Sequence, residues 1–227
     1  PEQGEAFSLH LIKRTAPANV SCVENNPNYS LNGAEYTVYT DKNCTRVATD
    51  KNGNPAVLRV TAAPGAITAS SNTLAMNPVE RTYYIKETKA PDKGYQIDKD
   101  SHELTITAVD FGTTKEVTFD ESTNLDPVNI VINKVDAKTG KPVADGAGDL
   151  SGAEFTMKFY AVDISRTYTA AELAALTPAR SWVFKTIKEN GQYMVAYDSQ
   201  HKISGDELYK DASGLEQLPM GFITIQE

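Results

Sequence analysis

The segment Phe7-Ser-Leu-His-Leu-Ile-Lys13 is the most informative part of the sequence, because the chain contains a second copy of it at Val128-Asn-Ile-Val-Ile-Asn-Lys134. In each copy apolar residues alternate with other residues and a lysine ends the run, which is the pattern of a β-strand with one apolar face. Side chains alternate between the two faces of a strand, so each lysine points in the direction of its own apolar residues.

Two further segments follow each lysine strand in the same order. They are Leu31-Asn-Gly-Ala-Glu-Tyr36 and Tyr83-Tyr-Ile-Lys-Glu87 in the first copy, and Leu150-Ser-Gly-Ala-Glu-Phe155 and Ile223-Thr-Ile-Gln-Glu227 in the second. Glu87 and Glu227 share the apolar face of their strands. Unpaired charges are costly in a core, so a lysine and a glutamate directed into the same core predict a chemical role for the pair.

The internal repeat predicts two tandem domains, residues 1–127 and 128–227, with the boundary at the segment Asn124-Leu-Asp-Pro127. Short strands separated by turn residues predict an all-β fold of two antiparallel β-sandwiches. A threonine cap and a terminating proline predict a short helix over 169–178, inserted in the second domain. The predicted strands are 7–14, 34–40, 56–62, 82–87, 103–109 and 115–120, then 128–135, 153–162, 181–186, 193–197 and 221–227.

The composition excludes several classes of function. A net charge of -8 and a pI of about 5.0 argue against a nucleic-acid partner, because phosphates select basic surfaces. No apolar run approaches the roughly 18 residues of a membrane span. The three histidines have no metal-ligand spacing and no cofactor fingerprint is present, so we expect neither metal nor cofactor. No signal peptide opens the chain, so we expect a mature chain, a segment of a longer one, or a cytosolic protein.

Cys22 and Cys44 are the two cysteines and form the candidate disulfide. In an extracellular protein a bridge between them is favoured, and in a cytosolic protein two thiols are favoured. Sequence spacing leaves both states open.

The segment Tyr84-Ile-Lys-Glu-Thr-Lys-Ala-Pro-Asp-Lys-Gly-Tyr95 resembles the E-box of Gram-positive pilins and collagen-adhesin B-type domains. Ile132-Asn-Lys-Val-Asp-Ala-Lys-Thr-Gly-Lys-Pro142, with the Gly-Ala-Glu segment after it, resembles the first strands of the same SpaA-like domain. The resemblance implies immunoglobulin-like, prealbumin-like β-sandwiches. It also implies an extracellular surface protein that is anchored to the cell wall through a part outside this chain.

Members of this family form spontaneous isopeptide bonds, and the resemblance implies one in the first domain. Lys13 would supply the amine, Glu87 the acid, and Asn124 the acceptor by family spacing. Because Val117 and Phe119 are expected to face inward, strand parity places Asn124 on the other face unless a bulge intervenes. Asp120 and Asp126 therefore remain alternative acceptors, and an aspartate would release water instead of ammonia.

In the second domain Lys134 and Glu227 match the family pattern, but the strands that follow Glu227 in the family are absent from the sequence. We therefore expect an incomplete second domain in which Lys134 has no cross-link partner and Glu227 is idle. A solvated lysine at the end of its strand is the favoured interpretation of Lys134.

The function implied by the resemblance is a surface stalk or pilin-like adhesin segment stabilised by a Lys–Asn bond. Because the reaction is a single self-modification, the chain is not expected to be a turnover enzyme. The alternative is a binding module for a host matrix protein or glycan, with candidate regions 16–31, 63–80 and 163–181. Other pilus or surface subunits are further expected partners.

Overall fold

The computed structural model describes residues 6–77, 81–123, 130–141 and 148–227. The chain divides into two compact units, Pro1–Asn124 (unit 1) and Leu125–Glu227 (unit 2). Among the described residues, strands far outnumber helices and form several sheets that are antiparallel except for one pair of strands, which confirms a mostly β fold. No helix in these ranges is long and apolar enough to cross a membrane.

Unit 1 contains one eight-stranded sheet and a short helix α1, Val20–Val23. Its strands are β1 Phe7–Thr15, β2 Glu35–Tyr39, β3 Val57–Thr61, β4 Thr68–Ser71, β5 Leu74–Met76, β6 Thr82–Lys89, β7 Ser101–Thr105 and β8 Thr114–Glu121. β5 and β4 pair with successive parts of β1, at residues 7–9 and 12–14, and the sheet continues from β4 in the order β3-β2-β6-β7. β8 pairs with β1 along residues 8–15.

The pairing of β1 with β8 is parallel, whereas the remaining pairs of this sheet are antiparallel. Its register sets Lys13 opposite Phe119 and Thr15 opposite Glu121. The first and last strands of unit 1 are therefore neighbours, and the end of β8 lies beside the end of β1.

The predicted alternation along β1 is present, since Phe7, Leu9, Leu11 and Lys13 are all buried. Burying an apolar side chain of this size stabilises the fold by about 1.5–3 kcal/mol, and such residues explain why β1 faces the core. Lys13 follows the same alternation and is carried into the core with them.

Unit 2 contains two smaller sheets, ordered β14-β11-β10-β15 and β12-β13-β9. Its strands are β9 Val131–Lys134, β10 Glu154–Tyr160, β11 Arg180–Lys185, β12 Ile187–Glu189, β13 Gln192–Ala196, β14 Lys202–Gly205 and β15 Phe222–Gln226. The core forms around Trp182, which is fully buried and makes edge-on ring contacts with Tyr197 and Tyr209.

The helix predicted in the second domain is present as α2, Ala170–Ala174, and is shorter than expected. The Thr169 hydroxyl accepts a hydrogen bond from the Glu172 backbone N–H, and the Glu172 carboxylate accepts one from the Thr169 backbone N–H. This reciprocal capping explains the helix start.

Candidate functional site

The amine of Lys13 lies in a fully enclosed polar cluster. Its Nζ donates to the Tyr36 hydroxyl at 2.6 Å and to Oε1 of Glu87 at 3.1 Å. It also contacts Oε2 of Glu121. Four strands therefore build the cluster, since β1, β2, β6 and β8 each contribute one of these side chains.

Glu87 occupies the buried face of β6 together with Tyr83 and Ile85, as strand alternation predicts. The backbone N–H of Asp98 donates to Oε2 of Glu87, while Oε1 accepts from Lys13. Asp98 in turn pairs with the His102 ring at 2.6 Å. Both oxygens of Glu87 therefore have a hydrogen-bond donor, which fixes the orientation of its carboxyl group.

Glu121 is a member of the cluster that the sequence analysis missed. It is the last residue of β8, and its side chain is buried. Its contacts include Lys13 and the Tyr36 hydroxyl, which donates to Oε2 at 3.5 Å. Strand parity could have identified it, because Glu121 continues the inward-facing series of Val117 and Phe119.

Burial is the main electrostatic influence on this cluster. It lowers the pKa of Lys13 despite the opposing effect of Glu87, and it raises the pKa of Glu87 despite the Asp98 N–H and Lys13. Burial and the nearby charge of Glu87 also raise the pKa of Tyr36, whose hydroxyl stays protonated. These shifts favour a neutral Lys13 amine beside a protonated Glu87 carboxyl group, and a neutral amine is a competent nucleophile.

Of the three predicted acceptors, the structure describes only Asp120, which is not brought to this cluster. Asn124 and Asp126 lie outside the described residues. Asp120 is on the exposed face of β8, where its carboxylate accepts from Nε of Arg14 at 2.9 Å. Because side chains alternate, Asp120 points away from the face that carries Lys13.

The candidate disulfide is not part of the structure, in which Cys22 and Cys44 are both thiols. Cys22 is buried in α1, whereas Cys44 lies in the turn after β2, where its Sγ approaches the carbonyl of Lys42 at 3.9 Å. The two residues therefore belong to different local structures.

In unit 2, Lys134 and Glu227 contact each other at the surface. Nζ of Lys134 pairs with Oε1 of Glu227, and the two side chains are 22% and 53% exposed. Water screens such a pair, so its contribution to stability is about 0–1 kcal/mol. The structure therefore places these residues as an exposed ion pair and not in a buried reactive cluster.

Residues 18–123 match the family model of the SpaA prealbumin-like fold domain. Unit 1 carries a SpaA prealbumin-like domain. The match includes Glu87 and Glu121 and begins shortly after Lys13, and it confirms for unit 1 the family suggested by the E-box segment. None of the curated proteins matches the chain.

Solved pilin structures show a weak likeness to this chain. A streptococcal ancillary pilin is 15% identical with a TM-score of 0.34, and the match covers 99% of this chain and 60% of that pilin. BcpA, the major pilin subunit of Bacillus cereus, is 13% identical with a TM-score of 0.28, and the match covers 98% and 67%. The chain thus spans less than two thirds of the length of the ancillary pilin.

Proposed function

We propose that this chain is a segment of a Gram-positive cell-surface stalk or pilin-like protein, and that unit 1 is stabilised by an intramolecular cross-link formed by Lys13. The observation that carries the proposal is the fully buried Lys13 amine, which lies 3.1 Å from the Glu87 carboxyl. Lys13 precedes by five residues the segment that matches the SpaA domain. The wall anchor and the neighbouring pilus subunits belong to the same proposal and lie outside this chain.

The cluster has the components of an amide-forming site. Enforced proximity of an amine and a carbonyl carbon replaces a very high effective concentration, and the closed core excludes water. Glu87 in its acid form can polarise the acceptor carbonyl and move protons between the amine and the leaving group. The product is a neutral amide, so the reaction relieves the cost of buried charge. Asn124, the acceptor expected from family spacing, stays a prediction.

A cross-link at Lys13 would serve a mechanical function. It would join the first strand of unit 1 to the end of its last strand, so the intervening chain could not be extended by a pulling force. Each molecule would react once, which makes the chemistry a maturation step and not enzymatic turnover.

Single-molecule pulling of the whole chain tests the proposal. We expect the parent to extend by the length of unit 2 alone, and the Lys13→Ala variant to extend further, by most of unit 1. Lys89→Ala is the matched control, because Lys89 is an exposed lysine at the end of β6. A parent chain that extends fully would remove the mechanical basis of the proposal.

The alternative, a ligand-binding adhesin module, is favoured by one surface feature of unit 2. An open cleft of about 530 Å3 lies between β10, α2 and β15, and its lining includes Lys158, Tyr160 and Ala174. It overlaps the predicted binding region 163–181. Binding of the chain to immobilised collagen or to a glycan array, abolished by Ala174→Trp and retained in Ala108→Trp of unit 1, would support this function.

A further inference from the structure

The buried cluster contains one amine, that of Lys13, and two carboxyl groups, so its charges do not cancel when all three groups are ionised. The side chains of Lys13, Glu87 and Glu121 are 0%, 0% and 2% exposed. Three ionised groups at this depth would leave one negative charge without a partner, and burial of an unpaired charge is costly. Joining the amine to one of the carboxyls as an amide removes both of their charges from the core.

We propose that Glu121 is the residue to which Lys13 becomes linked, through an amide bond between Nζ of Lys13 and Cδ of Glu121. This inference rests on the proposed cross-linked stalk and names its acceptor. It assigns a glutamate to the position for which the family resemblance implies asparagine or aspartate.

Strand register places the Glu121 carboxyl beside the amine. Lys13 is directly opposite Phe119 in the parallel ladder, so Glu121 is its diagonal neighbour on the same face. Diagonal neighbours on adjacent strands are within reach of long side chains. The lysine and glutamate side chains are both long enough to span this diagonal, and Nζ of Lys13 contacts Oε2 of Glu121.

The contacts also separate the role of Glu121 from that of Glu87. The carboxyl of Glu87 is held on one side by the Asp98 N–H and on the other by Lys13, so it is fixed for proton transfer. The carboxyl of Glu121 meets the amine at the end of β8 and receives the Tyr36 hydroxyl at 3.5 Å. That hydroxyl can donate to the carbonyl oxygen as negative charge develops on it.

The reaction balances without a further reactant. The neutral Lys13 amine attacks Cδ of protonated Glu121, and the Nζ–Cδ bond forms. Glu87 accepts a proton from the nitrogen and returns one to the departing hydroxyl group. The Cδ–O bond then breaks, one water leaves, and Glu87 regains its original protonation state.

Intact-mass spectrometry of the whole chain, reduced and denatured, tests this assignment. We expect the parent to be lighter than its sequence mass by one water. In Glu121→Gln the leaving group becomes ammonia, so this variant should reach the same final mass as the parent. Glu121→Ala should retain its full sequence mass. Asp120→Asn, one residue away on the exposed face, should still lose one water.

Fragment spectra of a protease digest locate the bond directly and do not depend on the folding of any variant. A peptide pair joined through Lys13 and Glu121 is the expected result. Loss of ammonia from the parent, retained in Glu121→Ala, would identify Asn124 and overturn the assignment while leaving the cross-linked stalk intact. Loss of water retained in Glu121→Ala would point to Glu87 or to an aspartate such as Asp126, and would overturn the assignment. A parent of full mass would show an uncondensed buried cluster and would overturn both proposals.

Discussion

The Nζ atom of Lys13 lies 3.1 Å from Oε1 of Glu87, and neither side chain is exposed to solvent. The same two residue types meet in unit 2 as Lys134 and Glu227, where both side chains reach water. A lysine–glutamate pair is therefore present in both units, and the two pairs differ in how deeply their side chains are buried. Because burial shifts an amine and an acid towards their neutral forms, we expect condensation in the cluster of unit 1 and not at the Lys134–Glu227 pair.

Replacing Glu87 by Gln should slow cross-linking in unit 1. Glutamine can still accept from the Asp98 N–H, but it cannot exchange a proton, and loss of a general acid–base group lowers a rate by about 10²–10⁴-fold. Intact mass measured at intervals after synthesis or refolding follows the reaction. Glu103→Gln is the control, since Glu103 is an exposed glutamate of β7. A Glu87→Gln chain that closes as fast as the parent would remove Glu87 from the chemistry.

Disrupting the surface pair of unit 2 should leave the mass deficit of the chain unchanged. We expect Lys134→Ala and Glu227→Gln each to change the free energy of unfolding by at most about 1 kcal/mol, the value of an exposed ion pair. A denaturant titration and an intact-mass measurement check both statements. If the parent were lighter by two small molecules, water or ammonia, and Lys134→Ala by only one, a second cross-link would be present in unit 2.

Asp110 should make the stability of unit 1 dependent on acid pH. The Thr107 backbone N–H and the Lys115 ammonium hold the pKa of Asp110 below its ordinary range. An aspartate with a depressed pKa stabilises the fold fully above its unfolded pKa of about 3.9. That contribution is lost as the pH falls through the lower pKa of the folded state.

Asp110→Asn should therefore be less stable than the parent at neutral pH, and the difference should shrink below about pH 4. Urea unfolding at a series of pH values measures it. Lys115→Gln should produce part of the same loss at neutral pH, because it removes one donor and leaves Thr107. A difference between parent and Asp110→Asn that is constant across this range would contradict the expectation.

Gly205 should be intolerant of a side chain. Its φ is +100°, and a Cβ atom there would lie 2.3 Å from the Ser181 carbonyl oxygen and 2.7 Å from Cα of Trp182. Gly214 has a similar φ of +85° with no atom within 4 Å of its Cβ position, so Gly214→Ala isolates the backbone cost of about 1–2 kcal/mol.

Gly205→Ala should cost about 1–3 kcal/mol more than this control, because β11 backbone atoms cannot move aside cheaply. Trp182 is the only tryptophan of the chain and is buried in unit 2, so its fluorescence reports the unfolding of that unit. Equal losses in the two variants would show that β14 adjusts to the added methyl group.

Much of the fold follows from alternation along the strands. The apolar runs at β1 and β6 are strong enough to predict which face carries Lys13 and Glu87. The strand β4, Thr68–Ser71, was missed because its small polar residues give no apolar period, and its pairing with β1 and β3 determines its conformation.

Glu121 shows how far the residues of the site can be predicted from the sequence. Its parity with Phe119 is visible in the sequence, whereas the spacing typical of the family indicates Asn124. The decisive information is the parallel register of β1 and β8, a contact between distant parts of the chain that alternation within one strand does not specify. The thiol state of Cys22 and Cys44 is likewise a property of the folded chain that their spacing in the sequence leaves open.

The same parallel pairing determines how unit 1 meets tension. Force applied to the start of β1 and the end of β8 would pull two adjacent parallel strands past each other along their length. The ladder from Ser8–Thr114 to Thr15–Glu121 would then be loaded in shear, with its hydrogen bonds resisting together, whereas a peeled hairpin opens one bond at a time. We expect this arrangement to resist stretching even without a covalent cross-link.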